Sequence, residues 1–445
     1  MSELLTRGPL GSARRGLTRR QVIKTAAATG AAVGMTALAA PAVRAQSVVR
    51  IGYVTPQSGP LAAFAEADAY VLSVIGELTA GGVETAAGTV NVEVLVRDTQ
   101  SDPNRAAEVT RDLIVNEGVT LIVVASTPET TNPVSTVCEQ EEIPCISTMA
   151  PWQPWYMSRQ ADPTNPQPFL YTYHFFWGLE DIIATYTGMW NQLETNKVVG
   201  GLFPNDGDGN AWGDPVVGIG PGLNAAGYTL VDPGRYENLN QDFTAQINAF
   251  RQNNCQIVTG VVIPPDFTTF WQQANQQGYR PPIATIAKAI LFPSSVEALG
   301  PIANNLSSEV WWTPSHPFTS SLTGATGADL AAGFTAFSGR PWTQPIGFIY
   351  ALMEVALDVI KRAADPSDYD SVLESIQATD LDTIVGHVQW GTDAGGLPPP
   401  IAANVSKTPL VGGQWRLNDG AWDLVIVENG AAPEIATQGV MEPIV

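Results

Sequence analysis

Ser126 and Thr127 close a short apolar run, Thr120 to Ala125, and Pro128 follows them where a helix would begin. Proline suits a first helical turn, and hydroxyls beside the free amides there can hold a carboxylate against the positive end of the helix dipole. Ser126-Thr127-Pro128-Glu129 is equally a capping box that serves only the helix, and both readings stand. Ser147, Thr148 and Met149 end the neighbouring run, ahead of Pro151, and are expected on the same wall. Lys288 stands just beyond the run Ile283 to Ile286, where it either pairs with an anionic ligand group or faces solvent. Trp152, Trp155 and Tyr156 form an aromatic cluster that either touches a ligand or packs at a hinge or lobe edge.

Other chemistries lack their residues. Gly218-Ile219-Gly220-Pro221-Gly222-Leu223 opens like a dinucleotide fingerprint but carries Leu at the third glycine position and follows no strand. Asp206-Gly207-Asp208-Gly209-Asn210 opens like a calcium loop, yet Ala211 and Val217 replace the turn glycine and the bidentate acid. A strand-to-helix turn explains it better. The chain contains no Gly-x-Ser-x-Gly elbow, Walker A loop or His-Glu-x-x-His helix. His174, His316 and His387 are too scattered to complete a zinc site with Cys138, Cys145 and Cys255, so neither metal nor cofactor is expected. Cys138 and Cys145 flank an expected helix end and strand start, where they form either a disulfide or two buried thiols.

Apolar strands alternating with helices must position these groups. Strands are expected at Val48 to Val54, Val90 to Val96, Thr120 to Ala125 and Cys145 to Thr148. Between them lie helices Leu61 to Thr79, Asn104 to Glu117 and Thr130 to Glu142. The alternation restarts after a Pro- and Trp-rich stretch, Pro151 to Pro168. Helix Leu179 to Leu193 is followed by strand Lys197 to Phe203, helix Ala211 to Ala226, strand Tyr228 to Val231, helix Asp242 to Asn253, strand Gln256 to Ile263 and helix Phe267 to Gln277. Gly347 to Ala364 reads as a long apolar helix and Gln414 to Val427 as a hairpin turning at Asn418-Asp419-Gly420. Such βαβ units imply an α/β fold of two doubly wound parallel-sheet lobes, with ligands bound beyond the carboxyl ends of the strands.

Length and charge agree. The 445 residues exceed one compact core, and 44% hydrophobic against 15% charged residues leaves ample material to bury. With 43 acids to 22 bases the net charge is -21, which argues against nucleic acid as a partner. Thr18-Arg19-Arg20-Gln21-Val22-Ile23-Lys24 reads as a twin-arginine export motif, followed by the mildly apolar run Thr25 to Ala40 and by Val43-Arg44-Ala45, a small-residue cleavage pattern. An amphipathic N-terminal helix is the alternative. Loss of residues 1–45 would remove seven of the bases and one of the acids, leaving the exported chain near -27.

Ile51-Gly52-Tyr53-Val54-Thr55-Pro56-Gln57-Ser58-Gly59-Pro60 resembles the opening strand and loop of the type I periplasmic solute-binding proteins of ABC importers, in their branched-chain (Leu/Ile/Val) amino acid-binding group. Arg97-Asp98-Thr99-Gln100-Ser101-Asp102-Pro103, Ala125 to Pro128, Ile146 to Thr148, Asn205 to Gly213 and Gly386 to Trp390 fall at later landmarks, so the resemblance spans residues 48 to 427. It implies two lobes joined by a three-segment hinge near residues 174, 312 and 388. Lobe 1 would hold 46–174 and 313–388, and lobe 2 would hold 175–312 and 389–445. Trp212 stands where the family usually has an aromatic residue over the ligand, with Phe64 as its counterpart. The implied ligand set is Phe64, Ser126, Thr127, Ser147, Thr148, Met149, Trp212, Ile263 and Lys288.

This chain departs from the amino-acid binders after Ile286, where Ala287 and Lys288 replace the acid that takes an ammonium group. Unless Asp266 or Asp206 substitutes, a buried ammonium would go unpaired at a cost of several kcal/mol, so a hydrophobic or aromatic carboxylate is the expected ligand. The implied protein is no enzyme. It is a periplasmic receptor that hands a small molecule to an ABC permease in the inner membrane and meets the twin-arginine translocase during export. A ligand sensor of the same fold, or an enzyme using a cleft carboxylate, are the rival classes. The double substitution Arg19→Lys, Arg20→Lys should leave the precursor in the cytoplasm, and unimpaired periplasmic accumulation in cell fractions would refute the twin-arginine reading.

Overall fold

Strands of mostly apolar residues with at most a few hydroxyls need cover on both faces, and β4 (Leu121–Ala125), β5 (Cys145–Thr148), β9 (Ile257–Val261) and β10 (Ile283–Ala287) are buried throughout. A computed structural model of the chain describes residues 47–391 and 396–445; the expected export signal with Arg19 and Arg20 lies outside them. The first sheet also contains β1 (Val48–Thr55), β2 (Val83–Thr85), β3 (Gly88–Asp98), β6 (Thr172–Phe175) and β14 (Val405–Ser406). Its order is β14-β6-β5-β4-β1-β3-β2, parallel except for the β2–β3 pair. The second sheet, β16-β15-β11-β10-β9-β7-β8, adds β7 (Val198–Leu202), β8 (Thr229–Val231), β11 (Ser307–Val310), β15 (Val411–Asn418) and β16 (Ala421–Glu428). Its parallel part is closed off by β15 and β16, which run antiparallel. The two lobes of the α/β fold follow from these sheets.

The helix Pro345–Arg362 has fifteen buried residues and packs on the first sheet, as its predominantly apolar character requires. Gly347 is needed there, because a Cβ would lie 2.4 Å from the Trp312 ring where the chain returns from β11. The hairpin turns as its residues demand: Asp419 (φ 49°) and Gly420 (φ 86°) are both left-handed.

Several expectations need revision. The helix foreseen over 211–226 is two short ones, Gly207–Trp212 and Ile219–Ala225, parted by a turn at Asp214-Pro215 whose Asp214 carboxylate caps the amides of Val216 and Val217. Strands β6 and β11 were not foreseen, because Thr172–Phe175 and Ser307–Val310 carry polar residues that the interior absorbs through hydrogen bonds. The third crossover lies at 407–410, not near 388. Residues up to Ser406 belong with the first sheet, since β14 pairs with β6 and Asn404 Nδ2 donates to the carbonyls of Phe169 and Thr172 at 3.0 Å. Lys407 then ties this crossover to the first one through Glu180 (2.8 Å) and Asp181 (2.7 Å). Cys138 and Cys145 are buried thiols without a bridge.

Asp68, at the start of helix Asp68–Thr79, accepts hydrogen bonds from Tyr53 (2.7 Å) and Thr55 (2.8 Å), yet burial lifts its carboxyl to about 7. A carboxyl that binds its proton more tightly when folded stabilises the protein below its unfolded value of 3.8, and that contribution is lost as pH rises toward 7. Asp68→Asn should therefore flatten the fall in Tm between pH 4.5 and 7.5 measured by calorimetry; an unchanged pH profile would show that Asp68 is ionised in the fold.

Candidate functional site

The carboxyl ends of both sheets face one cleft, and the two lobes build it with matching parts. After β4, Thr127 is extended (φ -68°, ψ 165°) and Pro128 starts helix Pro128–Glu141; after β9, Ile263 (φ -66°, ψ 151°) precedes Pro264 and helix Pro264–Gln276. Just past β5 and β10, Met149 (φ 70°) and Lys288 (φ 69°) are left-handed, which costs a side-chain-bearing residue about 1–2 kcal/mol. Such strain persists where the surroundings fix it, commonly at working sites.

Lys288 is the electrostatic centre. Its Nζ lies 2.9 Å from Asp208 Oδ2, 3.2 Å from Glu129 Oε1 and 3.8 Å from Asp206 Oδ2, and its side chain is 4% exposed. Glu129 belongs to the first lobe and the other two acids to the second, so the ammonium bridges the cleft. Contact between the lobes is close here: a Cβ on Gly207 would stand 3.2 Å from Pro128 Cβ. Asp206 caps its helix by accepting from Gly209 N (2.8 Å) and also takes a bond from Asn238 (2.8 Å). Burial acts most strongly on Glu129 and would raise it, but the Lys288 charge and hydrogen bonds together hold that carboxyl below its usual range. For Asp208 burial wins and lifts it to about 7, while burial of Lys288 is overcome by Asp208, Glu129 and Asp206, which raise its pKa. Beneath Lys288, Glu309 accepts the Lys288 amide (3.0 Å) and the Tyr186 hydroxyl (2.6 Å), and burial lifts it to about 7.

Aromatic rings fill the space behind this charge cluster. Phe176 meets Trp177 at 4.5 Å and Trp311 at 5.0 Å between centroids, and Phe64 lies 5.2 Å from Phe292 and 6.2 Å from Trp311. Phe64, Thr127, Met149, Trp177, Asp208, Trp212, Lys288 and Trp311 are among the residues enclosing a void of about 20 Å³, room for roughly one water. Lys288 also borders an outer void of about 170 Å³ with Glu129, Asp206, Asn238, Leu239, Leu61 and Ile263. Orphaned polar atoms surround the inner void: Thr127 Oγ1, Asp208 Oδ1 and the indole nitrogens of Trp177, Trp212 and Trp311 are buried without hydrogen-bond partners.

Of the expected ligand residues, Phe64, Thr127, Met149, Trp212 and Lys288 meet at the inner void and Ile263 at the outer one. Three hydroxyls are engaged elsewhere. Ser126 bonds to the Thr130 hydroxyl (2.6 Å), Ser147 to the Tyr173 carbonyl (3.1 Å) and His174 Nδ1 (2.8 Å), and Thr148 to the Phe175 carbonyl (2.7 Å). The carboxylate at this helix start is the chain's own Glu129, paired with Lys288. Lys288 neither faces solvent nor waits unpaired for an anion. Sequence reasoning missed Glu129 and Asp208 by reading them as a capping residue and part of a failed calcium loop, and missed Trp177 and Trp311 beside the crossovers. Trp155 stacks on His174 at 4.6 Å and Tyr156 donates to the Pro400 carbonyl (2.7 Å), which places that cluster in packing.

A family model described as periplasmic binding protein matches residues 48–402. The chain belongs to the periplasmic binding protein family. Periplasmic binding proteins of known structure share its fold: a leucine-binding protein from Thermotoga maritima (TM-score 0.67, 17% identity, 86% of this chain and 99% of that one) is one. Another is the solute-binding protein of an ABC transporter from Rhodopseudomonas palustris, solved with 3,4-dihydroxybenzoic acid (0.67, 15%, 88% and 99%). A branched-chain amino acid transporter substrate-binding protein from Streptococcus pneumoniae, solved with isoleucine, is similar at 0.64 and 15%, with 86% and 100% covered. No curated protein sequence matches the chain.

Removing one member of a buried ion cluster strands the rest at a cost of about 3–5 kcal/mol. Lys288→Met should lower stability by about that much at pH 7, and less at pH 5, where Glu129, no longer held low by the lysine charge, can take up a proton. It should also raise the radius of gyration in X-ray scattering as the lobes part; unchanged scattering would show that other contacts hold them closed.

Proposed function

We propose that this protein is the exported solute-binding receptor of an ABC importer, which closes its two lobes on a small organic ligand and presents the closed form to a membrane permease. The observation that carries the reading is the Glu129–Lys288 bridge across the cleft, backed by aromatic rings and unpartnered polar atoms from both lobes. Such a site binds by excluding water and needs no covalent step. Residues 1–45 serve as the twin-arginine signal, and the crossovers near 176–178, 311–326 and 407–410 act as the hinge. Relatives solved with isoleucine and with 3,4-dihydroxybenzoic acid make amino acids and aromatic acids the first candidates. For an aromatic acid, Thr127 supplies the one unengaged hydroxyl of the helix start, and Trp212 and Phe64 the walls.

Mass spectrometry of the protein released from the periplasm should identify a co-purifying solute. Returned to the stripped protein, that solute should shrink the radius of gyration and change the emission of Trp177, Trp212 and Trp311; no change at saturation would rule out a hinged receptor. Calorimetric titration with leucine, its 2-keto acid and a benzoate-type acid sorts the ligand classes, and Trp212→Ala should weaken binding and relax selectivity among ring sizes.

A further inference from the structure

Beyond residue 45 acids outnumber bases almost three to one, so a recess lined by bases alone is unexpected on this chain. One exists in the first lobe, between helices Pro103–Asp112 and Pro128–Glu141. The groove holds about 540 Å³, and its eleven lining residues include Arg111 and Arg159 but no aspartate or glutamate. None of them borders either void of the cleft.

Arg159 is a cation without a counter-charge. Its guanidinium lies 4.7 Å from the centre of the Trp155 ring and 4.1 Å from that of Phe169, Nη2 donates to the Thr172 hydroxyl (2.9 Å) and Nε to that of Thr136 (3.4 Å). Nη1 is buried without a partner, and among the described residues Arg159 forms no ion pair. Glu139 acts on it only through space, because its oxygens are taken by the amides of Leu170 (2.7 Å) and Tyr171 (3.1 Å) and the Thr172 hydroxyl (3.1 Å). Burial pulls the guanidinium down to about 10. A charge taken out of water normally has its counter-charge beside it.

The groove is where that counter-charge fits. Asn132 Nδ2 donates to the Pro154 carbonyl and to the Ser158 hydroxyl, both at 2.9 Å, which sets Ser158 and Arg159 against the second helix one turn from Thr136. Asn132 Oδ1 is thereby left buried without a donor. The other guanidinium of the groove, Arg111, is exposed and likewise forms no ion pair among the described residues. Two free donors and one free acceptor match a phosphate: its bare oxygens accept from guanidinium N–H groups, and a hydroxyl on or beside it donates to Asn132 Oδ1. Sulfate has no proton to give there. Pro103, Ala107, Pro133 and Val137 add apolar wall for a short carbon body.

We propose that this groove is a second binding site, for inorganic phosphate or the phosphate monoester of a small polyol, held by Arg111 and Arg159. A free solute suits it better than a lipid headgroup, because the strongly acidic chain is repelled by an anionic membrane surface.

Calorimetric titration of the mature protein at pH 7 and constant ionic strength, with inorganic phosphate, glycerol phosphate and sulfate, tests the assignment. Both phosphates should bind at millimolar concentration or below, and sulfate several-fold more weakly. Arg111→Gln should weaken phosphate about tenfold or more, the usual effect of losing a charge-assisted hydrogen bond. Gln140→Glu, which brings a carboxylate to the exposed rim of the groove, should act in the same direction. Phosphate should also raise the Tm of the parent protein but not that of the variants. No phosphate binding at millimolar concentration, sulfate binding as tightly as phosphate, or affinity indifferent to both substitutions would each overturn the site. Co-sedimentation with phosphatidylglycerol vesicles separates the sources: retention on vesicles without binding of free phosphate would overturn the assignment to a small solute.

Discussion

A lysine ammonium buried between two lobes must be neutralised by whatever surrounds it, and here that requirement fixes the geometry of the cleft. Lys288 reaches Asp208 and Glu129 only if β10 delivers it past its last strand residue in a left-handed turn and the two helix starts approach within van der Waals contact. Gly207 is at that contact because any side chain would press on Pro128. The strain at Lys288, the missing Cβ at Gly207 and the placement of Glu129 in a first helical turn are thus one solution to a single desolvation problem. Met149 repeats the left-handed turn on the opposite wall with an apolar side chain, so each lobe contributes a different chemistry from the same backbone position.

Much of the fold was legible because apolar runs of four to eight residues at regular pitch can hardly be anything but buried parallel strands. The strand from Cys145 to Thr148 was readable to the residue, and so was the turn of the hairpin at Asp419-Gly420, though the hairpin runs from Val411 to Glu428 rather than from Gln414 to Val427. Strands β6 and β11 were not, since His174 and Glu309 look like surface residues until their partners Ser147, Ala150, Tyr186 and Lys288 are brought in from distant segments. The third crossover was misplaced for the same reason: nothing local to Val405–Ser406 announces that it completes the edge of the first sheet.

The site was half legible. Residues at strand ends can be found by counting, and Thr127, Met149, Ile263 and Lys288 all lie there. Their duties cannot, because a hydroxyl, a carboxylate or an ammonium is free for a ligand only if the fold has not already engaged it. Ser126, Ser147 and Thr148 are spent on neighbouring backbone and side chains, whereas Glu129, a plausible cap in sequence, became the partner of a lysine 159 positions away.

Closure of such a cleft has a definite energetic character. Bringing Glu129 to Lys288 removes both from water, and the attraction gained roughly offsets that cost, so the bridge fixes the closed geometry without contributing much net stability. Turning a mostly open population into a mostly closed one takes about 5.5 kcal/mol. The bridge cannot supply it. Each buried polar atom without a partner costs about 1–3 kcal/mol, and Thr127, Asp208, Trp177, Trp212 and Trp311 each keep one beside the inner void. A ligand that satisfies three of them recovers an amount of that order. The closed state is therefore under-satisfied by design of its polar groups rather than by poor packing of its rings, and the driving force for ligand-dependent closure resides in those unpaired atoms.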